Sequence, residues 1–379
     1  MPRERIGDGI ASYSEHPCSG ESRMAAATFE ILGRRIGPGY PCYVIAEMSA
    51  NHHGDYGQAV AILQAAKAAG ADAVKLQTYT ADTMTVDSAH ERFRIPHVGS
   101  PWDGRRLYDL YGEGQMPWSW QPRLADEAAE LGLHLFSTAY DASAVDFLQS
   151  MGTPAFKVAS FELTDLPLLR RVAQTGKPVI ASTGMATAAE IEEAVRTLRD
   201  AGCQQLALLK CVSAYPAPAE RMNLRTIAHL AETYGLAAGL SDHSMELAVP
   251  VAAVALGATI IEKHLTLDRG QPGPDSAFSL EPREFGDMVQ AVRTAEKALG
   301  GVCYGPAPEE SLSRRGRRSL FVVRDVAANE VLTDEHVRAI RPDDGLHPRY
   351  LDDVLGRRAA RAIQRGTPLS WDLIGGIVA

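Results

Sequence analysis

The 379-residue sequence has little cysteine, few aromatic residues and no excess of positive charge. Acidic residues outnumber basic ones, 47 to 38, so no global field attracts nucleic acid or an anionic membrane, and a bound phosphate requires a local cluster of donors. No apolar stretch approaches the roughly 18 uninterrupted residues of a membrane span. These absences argue against nucleic-acid and membrane partners and predict a soluble globular protein.

Cysteine is rare, odd in number and without the paired spacing of a metal site. The five cysteines are Cys18, Cys42, Cys203, Cys211 and Cys303. Few unpaired thiols are typical of a reducing compartment, so we expect reduced thiols. Arg3, Glu4 and Arg5 are not followed by an apolar core, unlike the start of a secretory signal. The sequence therefore predicts a cytoplasmic protein.

Changes in composition divide the chain into four segments. Residues 1–28 are polar and lack a hydrophobic period, which predicts disorder. Residues 29–300 alternate short apolar runs with segments of helical period, and residues 301–318 form a linker rich in Pro, Ser and Arg. Residues 319–379 contain short strands and turns, with too little core for an independently stable fold. We expect one large domain followed by a small one.

The large domain contains eight short apolar runs with helical spacing between them. The candidate strands are Tyr43 to Ala46, Ala73 to Leu76, Leu135 to Phe136, Ala155 to Ala159, Val179 to Ala181, Leu206 to Leu209, Leu236 to Gly239 and Ala258 to Ile261. Eight βα units in a domain of this size predict a (β/α)8 TIM barrel. A doubly wound open sheet is the alternative, but it normally has a Gly-rich first turn, where this chain reads "EMSANHHGD".

Polar residues follow nearly every candidate strand, where a TIM barrel places its reactive groups. Lys75 and Lys157 interrupt apolar strands, so their ammonium groups must face an anion or lose their protons. Hydroxyl donors stand nearby at Ser137, Thr138, Ser160, Ser182, Ser213 and Ser241. The set is suited to binding a phosphate and a carboxylate. Schiff-base chemistry at one lysine is the competing interpretation.

Two histidines end the last two candidate strands. His243 and His264 offer two imidazoles to one metal ion and leave positions open for water and a substrate oxygen. The segment 79–118 is far longer than an ordinary βα loop and is rich in Arg, Trp and Tyr. It is either a lid over the substrate or a packing or subunit contact.

A series of motifs recurs in order from Ile36 to the C-terminus. They are "YVIAEMSANHHGD", "AVKLQTYTADTMT", "FKVASFELTD", "STGMAT", "KCVSAYPAP", "GLSDHS", "IEKHLTLDRGQPGPDSAFSLEP", "RRSLFVVRDV" and "IRPDDGL". These stretches resemble the sialic acid synthase family, and most closely its pseudaminic acid synthase branch. The resemblance implies a TIM barrel followed by a small antifreeze-like (SAF) domain. It also implies that phosphoenolpyruvate condenses with the aldehyde of an N-acetylated amino sugar, giving a nine-carbon 2-keto acid and phosphate.

The resemblance also implies a role for individual residues. It assigns phosphoenolpyruvate to Lys75, Thr138, Lys157, Ser160, Ser182, Ser213 and Ser241, although sialic acid synthases often have Asn where this chain has Ser213. A divalent metal, expected to be manganese with magnesium or cobalt as alternatives, is assigned to His243 and His264. Catalytic carboxylates are Glu47, Glu162 and Asp275, the first two also contacting the sugar. In a domain-swapped homodimer, Arg341 of the SAF domain reaches the sugar site of the neighbouring subunit.

The sugar is inferred from two aromatic residues. Phe161 and Phe278 stand in motifs that differ from N-acetylmannosamine-using synthases, and they favour a 6-deoxy sugar with a methyl group. We therefore expect 2,4-diacetamido-2,4,6-trideoxy-L-altrose as substrate and pseudaminic acid as product, although Pro272 is more typical of the sialic branch. The alternatives are an N-acetylneuraminate or legionaminate synthase, a metal-dependent pyruvate aldolase, and a non-catalytic sugar- or ice-binding protein.

Overall fold

The computed structural model describes residues 28–96 and 99–377. The predicted disorder of residues 1–28 falls outside these residues, apart from Thr28. The described chain divides into two compact units between Gly300 and Gly301.

Eight parallel strands close into a barrel in the order β10-β3-β4-β5-β6-β7-β8-β9. They are β3 (Tyr43–Glu47), β4 (Ala73–Thr78), β5 (His134–Ala139), β6 (Phe156–Val158), β7 (Val179–Ser182), β8 (Leu206–Cys211), β9 (Ala237–Asp242) and β10 (Ile260–His264). Closure comes from β10, which pairs with β3 so that His264 lies opposite Glu47. The predicted TIM barrel is confirmed, and the open doubly wound sheet is wrong. Several strands extend beyond the predicted apolar runs, because their polar ends continue the ladder of hydrogen bonds.

Helices follow these strands, and most of them cover the outside of the barrel. They are α1 (Tyr56–Ala68), α2 (Ala81–Met84), α3 (Leu107–Gly114), α4 (Gln121–Glu130), α5 (Ala142–Ser150), α6 (Leu166–Ala173), α7 (Ala188–Asp200), α8 (Thr226–Tyr234), α9 (Ala248–Ala255) and α10 (Pro282–Leu299). Capping residues stabilise the first turn of several of these helices. For example, Thr187 and Glu190 form a capping box at the start of α7. Helix α1 buries its apolar face, spaced i, i+3, i+4 and i+7, in the layer between helices and strands.

A hairpin that the sequence patterns did not reveal precedes the barrel. Strands β1 (Phe29–Ile31) and β2 (Arg34–Ile36) pair antiparallel. Their apolar side chains join the residues inside the barrel in one hydrophobic cluster, which includes Tyr43, Phe136 and Ile260 at the starts of strands. This end of the barrel interior is therefore largely apolar, apart from the Tyr43 hydroxyl and His134, which bond to each other at 2.8 Å, and the charged inward-facing residues lie at the other end.

The C-terminal unit is small and has its own core. Its elements are α11 (Ser311–Arg314), β11 (Ser319–Val322), β12 (Val337–Ile340), α12 (Leu351–Val354), β13 (Arg357–Ala359) and β14 (Ile374–Ile377). Strand β11 pairs with β12, and β13 pairs with β14, in two antiparallel ladders. Leu320, Val337 and Leu369 are among the buried residues that pack between them.

Cysteine chemistry differs from the prediction at one position. Cys42, Cys203 and Cys211 are buried and have free thiols, as expected. Cys303 is disulfide-bonded, so the expectation of five reduced thiols is wrong at this residue. Within residues 28–96 and 99–377, no helix has the length and apolar character required to cross a bilayer.

Candidate active site

A cavity of about 550 Å³ opens at the carboxyl ends of the barrel strands. Most of the predicted site residues line it, namely Glu47, Lys75, Lys157, Ser160, Glu162, Ser182, Ser241, His243, His264 and Asp275. They meet because side chains alternate along a strand, so that Ile260, Glu262 and His264 of β10 share the inner face while Lys263 faces the helices. Thr138 accepts a hydrogen bond from Lys75 without lining the cavity, Ser213 lies beside Gly184, and Arg341 lies in the C-terminal unit.

The two predicted lysines lie at the base of the cavity and are almost completely buried. Lys75 Nζ lies 2.5 Å from Glu47 Oε2 and donates to Thr138 Oγ1 at 3.0 Å. Lys157 Nζ donates to Ser182 Oγ at 2.7 Å and to the carbonyl of Val158 at 2.9 Å. Burial works against both charges, but the carboxylates near Lys75 outweigh it and raise the pKa of Lys75, whereas the pKa of Lys157 is lowered. Lys75 is therefore the more firmly charged of the two.

Glu262 joins the two lysines and is missing from the predicted site. Its Oε1 lies 3.6 Å from Lys75 Nζ and 3.9 Å from Lys157 Nζ, and accepts a hydrogen bond from Ser241 at 3.3 Å. Burial alone would raise the pKa of Glu262, but the two ammonium groups outweigh it and hold the pKa below its ordinary value. Its Oε2 has no partner. The signal in the sequence was its spacing of two from His264, which places both side chains on one face of the strand.

Two hydroxyl groups and a glycine form a tight corner beside the lysines. The backbone N–H of Gly184 donates to Ser160 Oγ at 3.1 Å. The hydroxyl of Ser213 is buried and has no hydrogen-bond partner. A Cβ atom at Gly184 would lie 2.5 Å from Ser213 Oγ and 2.7 Å from Ser160 Oγ. Only glycine therefore allows the backbone to approach both hydroxyls.

We expect Gly184→Ala to weaken binding of the anionic substrate while leaving the fold intact. The added methyl group would displace two small hydroxyls that can rotate away, so the cost falls on the site rather than on the backbone. The expected result is a KM raised about tenfold for phosphoenolpyruvate, the anionic substrate that the sequence resemblance implies, which corresponds to about 1.4 kcal/mol. Gly286→Ala is the control, because a Cβ there meets only ordinary contacts. An unchanged KM in Gly184→Ala would contradict the assignment of this corner.

The two predicted metal ligands lie side by side, with ring centroids 5.4 Å apart. His243 Nδ1 lies 2.9 Å from the carbonyl of Val212, a contact that places the proton on Nδ1 and leaves Nε2 available to a ligand. Burial lowers the pKa of His264 well below its ordinary value, and its Nδ1 has no partner. Neutral imidazole nitrogens of this kind suit a divalent transition metal. The described residues contain no group of three or more His, Cys, Asp or Glu side chains arranged for a metal.

The predicted carboxylates occupy the walls of the cavity. Burial raises the pKa of both Glu47 and Glu162 to about 7. Asp275 accepts hydrogen bonds from the Ser49 hydroxyl and from the backbone N–H of Ala50. Gln77, another cavity residue outside the predicted site, donates to Glu47 at 2.9 Å and to Ser49 at 3.1 Å, so it connects Glu47 with Asp275 through Ser49.

The 79–118 segment forms one wall of the cavity. Trp102 donates from Nε1 to the carbonyl of Pro274 at 2.7 Å, next to Asp275. Its ring packs against Tyr215 and against Phe278, and both of these rings in turn contact His243 or His264. These contacts favour a substrate-facing role over a purely structural one. Of the two aromatic residues used to infer the sugar, Phe278 is buried beside His264, whereas Phe161 is 61% exposed at the rim.

Comparison with known proteins identifies relatives that cover most of this chain. A model of the NeuB family matches residues 62–304, and a model of the SAF domain matches residues 317–375. The pseudaminic acid synthase of Helicobacter pylori is 41% identical over 88% of this chain and 97% of its own. The N,N'-diacetyllegionaminic acid synthase of Legionella pneumophila is 35% identical over 89% of this chain and 96% of its own.

Solved structures agree with the fold. The spore coat polysaccharide biosynthesis protein spsE of Bacillus subtilis superimposes with a TM-score of 0.62 at 36% identity, covering 92% of this chain and 99% of that one. The N-acetylneuraminic acid synthetase of Leptospira borgpetersenii gives a TM-score of 0.68 at 30% identity, covering 76% and 95%.

Proposed function

Because the chain belongs to the NeuB family, with a C-terminal SAF domain, we propose that it condenses phosphoenolpyruvate with 2,4-diacetamido-2,4,6-trideoxy-L-altrose to give pseudaminic acid and phosphate. The observation that carries this proposal is the pair of buried lysines that bracket Glu262 beside two adjacent imidazoles, His243 and His264. The relatives named pseudaminic acid synthase, 41% identical over most of the chain, support the same reaction.

The lysine corner is suited to phosphoenolpyruvate. Lys75 and Lys157 supply two cations, and Thr138, Ser160, Ser182, Ser213 and Ser241 supply hydroxyls around them. Charge-assisted hydrogen bonds from such groups hold phosphate and carboxylate oxygens in a site closed to water. Glu262 stabilises both ammonium groups and places negative charge near the carbon that becomes electron-deficient.

The two histidines fit a divalent metal, for which manganese is our proposal. His243 Nε2 is left available by the Nδ1 contact with Val212, and the unpartnered nitrogen of His264 is a buried polar atom in need of a ligand. A bound divalent ion supplies Lewis acidity toward the oxygen of the sugar aldehyde. The protein's own part is to keep the His264 imidazole neutral, because burial lowers its pKa, and to orient both rings through the surrounding aromatic residues. At His243 the neighbouring Cys211 thiol outweighs the effect of burial and raises the pKa.

The carboxylates serve the proton transfers of the reaction. C3 of phosphoenolpyruvate bonds to the aldehyde carbon, whose oxygen takes up a proton, and water adds to C2 while losing a proton. The bond between C2 and the phosphate oxygen then breaks and phosphate leaves. Glu47 and Glu162, with pKa values raised by burial to about 7, are poised to accept or donate a proton at neutral pH. Asp275 lies on the same wall, held by Ser49 and Ala50.

The alternative functions explain less of the site. A pyruvate aldolase would use the histidines but would have little need for two buried lysines ringed by hydroxyls. Schiff-base formation requires a neutral amine, which argues against Lys75, because Glu262 and Glu47 hold it charged. Burial lowers the pKa of Lys157, so Schiff-base chemistry stays an alternative at that lysine. A non-catalytic sugar- or ice-binding protein would not require a cavity lined by groups with shifted pKa values.

We also propose that the enzyme works as a domain-swapped homodimer in which Arg341 reaches the sugar site of the neighbouring subunit. The SAF match to residues 317–375, which contain Arg341, is what supports this arrangement. A cytoplasmic location stays a prediction from the sequence.

We expect the wild-type enzyme to release phosphate from phosphoenolpyruvate with a higher kcat/KM for the trideoxy sugar than for N-acetylmannosamine. The contrast between a methyl and a hydroxymethyl group in a largely apolar wall is worth about 1 to 3 kcal/mol, or roughly 10- to 200-fold. The measurement is phosphate release with each sugar at the same concentrations of phosphoenolpyruvate and Mn²⁺. A higher value for N-acetylmannosamine would overturn the sugar assignment, and no release with either sugar would overturn the reaction.

A further inference from the structure

The 79–118 segment presents an apolar surface to the cavity. Met84, Ile95, Leu107 and Leu110 all line it. In helix α3, Leu107, Leu110, Tyr111 and Gly114 are spaced i, i+3, i+4 and i+7, and all four face the cavity. An amphipathic helix usually packs its apolar face against a core. In α3 the apolar face instead lines the cavity of about 550 Å³, which is large enough to hold a ligand.

These side chains are not part of the core of the protein. Within residues 28–96 and 99–377, the hydrophobic clusters contain none of Met84, Ile95, Leu107 and Leu110. Three of the four are only partly buried; Leu110 is 9% exposed. Partly exposed aliphatic groups gain stability when a ligand covers them, at about 25 cal/mol per Å² of apolar area. Their place in the cavity therefore points to an apolar ligand group.

The outer side of the same segment is fixed in place by polar contacts. Arg106 pairs with Asp87 at 2.9 Å and with Asp109 at 2.5 Å, and the Tyr108 hydroxyl donates to Asp82 at 3.1 Å. Next to the site, the bond from Trp102 to Pro274 ties the segment to the loop that carries Asp275. The apolar face is thus held toward the cavity.

The chemical contrast between the walls sets the direction of a bound sugar. The charged and metal-binding groups come from the strand ends, and the aliphatic groups come from the 79–118 segment. A sugar whose aldehyde is held at the strand ends extends its remaining carbons away from them, and the aliphatic wall meets the far end of the chain. A hydroxymethyl group there would lose hydration without a partner, whereas a methyl group would not.

We propose that Met84, Ile95, Leu107 and Leu110 form a subsite for the methyl-bearing end of a 6-deoxy, N-acylated sugar, and that this subsite sets the sugar preference. The inference rests on the proposed function and adds the part of the protein that selects the substrate. Phe278, buried beside His264, contributes to the aldehyde end instead.

The test compares Leu107→Gln with wild type on both sugars. We expect kcat/KM for the trideoxy sugar to fall at least tenfold relative to kcat/KM for N-acetylmannosamine, with KM for phosphoenolpyruvate unchanged. Val86→Gln is the matched control, because Val86 belongs to the same segment but is 53% exposed and does not line the cavity. Met84→Gln is the second variant, used in place of Leu107→Gln if that protein fails to fold.

The outcomes separate the inference from the proposed function. An equal loss for both sugars, a raised KM for phosphoenolpyruvate, or the same effect in Val86→Gln would overturn the subsite while the reaction stands. Wild-type protein that releases no phosphate with either sugar would overturn the proposed function, and the subsite with it.

Discussion

Treatment with EDTA is expected to abolish phosphate release, and added Mn²⁺ is expected to restore it. Lewis-acid stabilisation of the reacting oxygen is worth several kcal/mol, so the loss should be at least about 100-fold. His264→Ala should give the same loss and should not recover at Mn²⁺ concentrations that saturate the wild type. The reason is structural, because only two imidazoles from the described residues meet at this point and each supplies a large share of the binding.

The control for this experiment is another histidine on a barrel strand. His134 begins β5, bonds to the Tyr43 hydroxyl at 2.8 Å and does not line the cavity. His134→Ala should therefore retain its dependence on Mn²⁺ and its response to EDTA, even if its Tm falls. Full activity of the wild type in EDTA would refute a metal at His243 and His264.

Lys75→Met is expected to lower kcat/KM for phosphoenolpyruvate by at least about 100-fold, since the substrate loses a buried cation that carries charge-assisted hydrogen bonds. The protein should also be less stable, because Glu47 and Glu262 lose their closest positive charge. Breaking a buried pair by removing one partner costs about 3 to 5 kcal/mol. Kinetics at a temperature where the variant is folded, together with its Tm, separates the two effects.

Lys263→Met is the control for Lys75→Met, because it removes a buried lysine that does not line the cavity. Lys263 is as deeply buried as Lys75 and pairs with Asp242 at 2.7 Å, but it faces the helices. Its removal should lower stability by a similar amount while KM for phosphoenolpyruvate stays near the wild-type value. If KM for phosphoenolpyruvate rose by the same factor in both variants, Lys75 would have a structural role and the proposed anion site would be wrong.

Strand-end chemistry was the most informative part of the sequence. The polar residues in or just after the apolar runs could be placed at one end of a barrel, because parallel strands bring their carboxyl ends together. These residues are Glu47, Lys75, Lys157, His243 and His264. That expectation required only the order of apolar runs and the rule of alternation. The predictions of two adjacent histidines and of two lysines ringed by hydroxyls at this end both followed from it.

Other parts of the site depended on contacts between distant residues. Glu262 was visible in the sequence, but its distances of 3.6 and 3.9 Å to two lysines on other strands depend on the closure and stagger of the barrel. Gln77 became part of the site through its bonds to Glu47 and Ser49. The hairpin β1–β2 was missed because each strand has three residues, too few for a period to be read.

The sequence by itself determined the barrel, its order of strands and the end at which the chemistry is placed, because these depend on local periodicity and on the direction of each strand. Only the tertiary structure decided which side chains of the 79–118 segment line the cavity and which acid lies beside the two lysines. An apolar stripe in a loop has the same sequence pattern whether it packs against a core or lines a cavity. The pKa of a carboxylate depends on charges within a few ångströms, and the residues that carry those charges are far apart in the chain.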